Sequence, residues 1–136
     1  MKLRSIILLF TFLGLCTTIN AQRQTLPGQD TVYMKVDKMP EFPDGVKAMW
    51  EFMATCPYPD SARVHNIKGT TIVIFVVEKD GSFSEMKVVR SVDPLLDKAT
   101  LDCIKSMPKW KPGLKGDAPA RCQVTLPYYW GPDKQK

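Results

Sequence analysis

The sequence predicts an α+β domain built on a three-stranded antiparallel sheet with helices packed on one face. Three observations carry this. Ile72 to Val77 form an unbroken β-branched and aromatic run closed by Asp80-Gly81. A proline-opened segment from Asp93 to Met107 repeats its apolar residues at helical spacing. A late segment, Ala120 to Trp130, alternates Cys122, Val124 and Leu126 against Gln123 and Thr125.

The first helix is expected from Asp44 to Thr55. Val46, Met49, Trp50 and Met53 fall at i, i+3, i+4 and i+7 and form one apolar stripe. On this reading Trp50 is buried, and its truncation to alanine costs about 3–5 kcal/mol. Pro57-Tyr58-Pro59 breaks the helix, because a residue preceding proline is pushed out of the helical region. A second helix is expected from Pro59 to Lys68, with Gly69 as its stop.

Thr70 to Glu78 reads as the central strand, since its continuous apolar run suits a strand covered on both faces. Asp80-Gly81 supplies a tight turn, so Ser82 to Val92 folds back antiparallel. Asp93 caps and Pro94 opens a helix whose Leu96, Ala99, Cys103 and Met107 share a face; Pro108 ends it. Pro127 lies inside the last strand and cannot donate to a ladder, which assigns that strand to a sheet edge. Three strands leave two open edges, and an open edge is covered, blunted or used.

Residues 1–21 have the pattern of an export signal: Lys2 and Arg4, an apolar stretch from Ile6 to Leu15, and Ala21 before Gln22. That stretch falls short of the roughly 20 apolar residues of a membrane span. Lipidation of Cys16 is disfavoured by the bulk of Leu15. Residues 22–37 read as a flexible leader, extended reach about 50 Å, in which Val32, Met34 and Val36 alternate as a short strand able to cover one sheet edge. The domain then spans 38–131, and 132–136 form a tail. The chain carries 19 Lys and Arg against 14 Asp and Glu, a net charge of +5 that drops to +3 without Lys2 and Arg4. So weak and dispersed an excess does not point to nucleic acid.

Without Cys16, the cysteines are Cys56, Cys103 and Cys122, which permit at most one internal bridge with one thiol left over. The reading adopted is three small buried hydrophobes and no disulfide framework. No catalytic, cofactor or metal set is expected. His65 is a lone histidine in a polar stretch, Glu78 and Asp80 flank a turn, and the eight glycines are dispersed. Lys105, Lys109, Lys111, Lys115 and Arg121 gather around the third helix end and the loop after it and read first as a solvated face. Tyr128, Tyr129 and Trp130 read as a cap on the core edge.

Taken together, TTIVIFVVEKDGSF, SEMKVVRSV, DPLLDKATLDCIKSM, PKWKPG and TLPYYW, with Pro40-Glu41-Phe42-Pro43-Asp44-Gly45 and Tyr58-Pro59 upstream, resemble the TonB C-terminal domain in its Bacteroidetes-type form. The resemblance covers roughly residues 38–131. It implies a non-enzymatic periplasmic domain that grasps TonB-dependent outer-membrane receptors and supports energy-coupled transport across the outer membrane. It also implies the site: the TonB-box peptide of a receptor adds to the last strand, here Gln123, Val124, Thr125, Leu126, Pro127 and Tyr128, with Tyr58 and Pro59 close to the same groove. Where the family is often polar before that Tyr-Pro pair, this chain has Pro57. Further partners implied are a second copy in an intertwined dimer, another TonB-like domain and a membrane-anchored partner. The alternative function is a soluble periplasmic adaptor that binds receptor segments without transmitting force, since a short leader gives force no path.

Overall fold

A computed structural model describes residues 31–132; the expected export signal with Cys16, the first part of the expected leader and nearly all of the expected tail lie outside them. The elements are α1 (Gly45–Ala54), α2 (Asp60–Val64), β1 (Gly69–Val77), β2 (Phe83–Arg90), α3 (Pro94–Lys105), β3 (Gly113–Lys115), β4 (Ala118–Ala120) and β5 (Cys122–Trp130). The main sheet has the order β2-β1-β5, antiparallel throughout, so β1 is central and β5 is an edge. The β1–β5 register runs unbroken from Gly69↔Trp130 to Val77↔Cys122. The β1–β2 register shifts twice, and Glu85 in β2 takes φ 48°, the mark of a bulge.

Thr71, Val73, Phe75 and Val77 alternate onto the helix side of β1 and are buried. Val73, Phe75 and Val77 meet Met49 and Met53 of α1, Leu96, Cys103 and Ile104 of α3, and Leu126, Tyr128 and Trp130 of β5 in one core. Asp93 accepts from the Leu95 amide at 2.8 Å, the cap its sequence promised. Gly81 has φ 84° in the β1–β2 turn, and its carbonyl accepts from Trp110 N–H at 3.0 Å. That bond docks the turn on the loop after α3. Trp110 then packs edge-on against Phe42, Phe75 and Phe83.

The structure corrects the α1 stripe. Trp50 is 40% exposed and Val46 63%, while Met49 and Met53 are buried with Ala48 and Phe52 partly so. The helix is turned because Phe52 stacks near Phe42 (ring centroids 6.0 Å) and Cys56 reaches α3, pulling the buried face towards positions 48, 52 and 56. The second helix is shorter than predicted. Asn66 takes φ 51°, Ile67 N–H closes back on the Ala62 carbonyl at 2.9 Å, and the Tyr58 hydroxyl holds the Ile67 carbonyl.

The β3–β4 hairpin, turning at Gly116 (φ 61°), was not expected, and it organises the segment that leads into α1. Lys38 bridges Leu114 and Glu41 bridges Lys111. Tyr33 pairs in parallel with Cys122, donating to the Arg121 carbonyl at 2.9 Å and accepting from Gln123 N–H at 2.8 Å. Met34 points to solvent at 77% exposure. Leader residues thus cover the first residues of β5.

The cysteines are also corrected. Cys56 and Cys103 form a disulfide, with Cα atoms 5.9 Å apart, well within bridging range. Cys122 is buried and free, and burial pushes its thiol up. Spacing could not select the pair, because it depends on how α1 and α3 cross.

Candidate functional site

The outer edge of β5 is the candidate site, and its chemistry follows from which backbone groups point outwards. Gln123 directs its N–H away from β1, to Tyr33. Along an antiparallel strand these directions alternate, so Thr125, Pro127 and Tyr129 turn the same way, and the intervening residues bond β1. Pro127 therefore forfeits a donor only on the outer side. Its presence in an otherwise regular strand has a physical reason: it removes no bond of the β1–β5 ladder.

The predicted site residues fall into three groups. Gln123 lies at the end already engaged by Tyr33. Thr125 and Pro127 are exposed on the outer edge, and Val124 is half-buried. Leu126, Tyr128 and Tyr58 are buried, so their side chains build the core rather than a surface. The Tyr128 hydroxyl donates to the Met53 carbonyl at 2.7 Å, tying β5 to α1, and burial pushes its phenol up. Tyr58 stacks on Trp130 (5.9 Å), and Trp130 Nε1 donates to Thr100 Oγ1 at 2.8 Å.

Tyr58 and Tyr128 do come together, lining a small cleft with Ala54, Tyr129, Trp130 and Gly131. That cleft sits at the Trp130 end of β5, about 23 Å from Gln123 at strand rise. Pro59 caps the start of α2 and turns instead into a groove of about 460 Å³ between the end of α1 and α3. The disulfide cysteines line this groove with Phe52, Pro57, Leu95 and Ala99.

The basic residues do not form one patch. Lys109 pairs with Asp80 at 3.7 Å, and Lys115 lies 4.3 Å from the centre of the Tyr33 ring. Arg121 is the joint of a charge cluster: its guanidinium meets both oxygens of Glu78 (2.7 and 2.9 Å) and Glu85 Oε1 (2.9 Å). Arg121 holds the Glu78 carboxyl below its usual range, helped by the Ser84 hydroxyl and opposed by burial. The two carboxylates hold Arg121 more firmly protonated than a free guanidinium. This cluster secures the β2 bulge to the start of β5. Nothing in the local sequence marked it, since Glu78, Glu85 and Arg121 meet only through the sheet.

A family model described as the Gram-negative bacterial TonB protein C-terminal matches residues 55–132 of this chain. The chain belongs to the TonB C-terminal family. The match covers all three main strands, both helices after α1 and the whole β5 edge. Protein TonB of Helicobacter pylori strain J99 is 33% identical over 72 residues, which is 52% of this chain and 25% of that protein. Protein TonB of strain 26695 is 40% identical over 50 residues, 36% of this chain and 18% of that protein. The TonB C-terminal domain described here thus spans a quarter or less of these curated relatives. The solution structure of Helicobacter pylori TonB-CTD residues 179–285 is 26% identical with a TM-score of 0.49, covering 62% of this chain and 77% of that one. The structure of its residues 194–285 gives 26% and 0.43, covering 60% and 88%.

Proposed function

We propose that this TonB C-terminal domain binds an extended segment of a TonB-dependent outer-membrane receptor by strand addition at the outer edge of β5, and so supports energy-coupled transport from the periplasmic side. The observation that carries the reading is the bridge at Tyr33. There the same edge already takes the backbone of one residue from elsewhere in the chain through two main-chain bonds. Beyond Gln123, Thr125 continues that edge with its amide turned outwards. Main-chain hydrogen bonds of this kind supply affinity that is indifferent to partner sequence, while alternate side chains supply selectivity.

Of the predicted residues, Thr125 and Pro127 offer the partner backbone and side chain, and Leu126 and Tyr128 hold the strand in place from inside. Tyr58 acts through Trp130, fixing the far end of β5.

Thr125→Pro tests this. A proline there removes an outward N–H and no bond to β1, as Pro127 already does two residues on. The variant should keep its fold and lose binding of a receptor N-terminal peptide. In the wild type, amide exchange should slow at Thr125 when that peptide is added. Protection confined to the helices, or unchanged binding by the variant, overturns the assignment.

A further inference from the structure

Three sulfur atoms meet where the end of α1 reaches α3. Cys56 and Cys103 form the disulfide, and the Met53 thioether lies 3.6 Å from Cys103 Sγ. Cys56 N–H donates to the Met53 carbonyl at 3.2 Å, so the tight turn that ends α1 sets both side chains beside Cys103. Met53 is fully buried, while both cysteines line the groove of about 460 Å³ between α1 and α3. One sulfur is thus held in the core, and two border a channel open to solvent.

In the oxidised chain the cysteine sulfurs are spent on each other. Reduction turns them into donors. A thiolate–metal bond is about 2.3 Å long, so sulfurs that share one ion stand about 3.8–4.0 Å apart. Met53 and Cys103 are already close to that spacing, and the groove gives Cys56 room to turn away from Cys103 by the remainder. Thiolate and thioether are soft donors and suit Cu(I). Zn(II) calls for four donors, and no three His, Cys, Asp or Glu side chains gather at ligand spacing among the described residues. Cys122 also has a sulfur neighbour, Met39 Sδ at 3.9 Å, but that pair is one donor poorer.

We propose that the reduced domain binds one Cu(I) ion between Cys56, Cys103 and Met53, and that ion and bridge replace each other as the tie between α1 and α3. A dithiol reductant gives the bridge two electrons and two protons and leaves as its own disulfide. Cu(I) then takes the place of the two thiol protons, which pass to solvent.

Anaerobic competition with bicinchoninate tests this on the full chain carrying Cys16→Ser and Cys122→Ala, in which the bridge cysteines are the only ones left. Reduced by a phosphine and desalted, it should draw one Cu(I) per molecule from the dye complex; oxidised, it should draw none. Copper-edge X-ray absorption should show three sulfurs at about 2.3 Å. Met53→Leu, similar in volume, should keep its fold by circular dichroism and weaken binding about tenfold or more, the least that losing even an outer-shell partner typically costs. Cu(I) should also raise the urea midpoint of the reduced chain, because it binds the folded arrangement of the three sulfurs. Equal uptake by the oxidised and reduced chains overturns the site. So does a shell of two sulfurs, or an affinity unchanged in Met53→Leu.

Discussion

Gly81 does two jobs with one missing side chain. Its φ of 84° turns the chain between β1 and β2, and a Cβ there would come within 2.0 Å of the Trp110 carbonyl oxygen. Gly81→Ala should therefore destabilise by about 3 kcal/mol or more, since strain and a backbone clash coincide. Gly116→Ala, also at positive φ but with nothing within 4 Å, should cost only about 1 kcal/mol. Denaturant titrations of the two variants check both. Trp50→Ala should cost less than about 1 kcal/mol, and Trp130→Ala about 3–5 kcal/mol. The sequence made Gly81 legible as a turn, because Asp-Gly between two strands is a local signal. Its approach to Trp110 was not legible, because that contact closes across the whole fold. Trp50 was misread for a related reason. Positions 46, 49, 50 and 53 make one helical stripe and positions 48, 49, 52 and 53 another, and only Phe42 and Cys103 decide between them.

At the scale of elements, the end of α1 is tied to α3 by the Cys56–Cys103 bridge, whose partners are 47 residues apart. Closing a loop of that length removes enough unfolded-state entropy to contribute about 4 kcal/mol. The Cys56→Ser, Cys103→Ser double variant should lower the urea midpoint accordingly, and dithiothreitol should reproduce the loss in the wild type. Equal midpoints with and without reductant would show that the bridge contributes nothing. The strands and α3 were legible to within a few residues, because their periodicity and end signals are local. The pairing of cysteines and the β3–β4 hairpin were not. Gly113–Lys115 and Ala118–Ala120 are too short to show alternation, and they are strands only because they face each other and receive Lys38.

Across the whole molecule, the Arg121 cluster and the leader bridge decide how the β5 edge behaves. The Glu78 carboxyl is depressed in the folded state from its ordinary value of 4.5. Its contribution to stability is present above that value and is lost as pH falls below it through the folded-state value. Stability should thus hold level from pH 7 to about 5 and decline below about 4.5. Glu78→Gln should be less stable at pH 7 and show a shallower acid decline, measured by urea titration at each pH. The Tyr33 bridge covers the Gln123 amide, so a chain starting at Met39 uncovers it. Such a chain should show a concentration-dependent monomer–dimer mixture in sedimentation, while one starting at Gln22 stays mainly monomeric. Identical mass distributions would mean that the leader protects nothing. The edge position of β5 was legible from Pro127 alone. Which part of the edge is open was not, because that depends on where a polar leader with little periodicity comes to rest.

The disulfide also fixes how this domain stretches. When its two ends are pulled apart, the load entering at the leader first opens the bridges at Tyr33, Lys38 and Glu41 like a zip, one after another. It then passes through α1 to Cys56 and crosses directly to Cys103. The chain between them, with α2, β1, β2 and most of α3, lies on a covalent bypass and cannot be drawn out end to end. Reduction should thus lengthen the fully extended molecule by roughly 160 Å in single-molecule pulling. In the oxidised protein the central strand can be stripped of β5 but not itself unravelled.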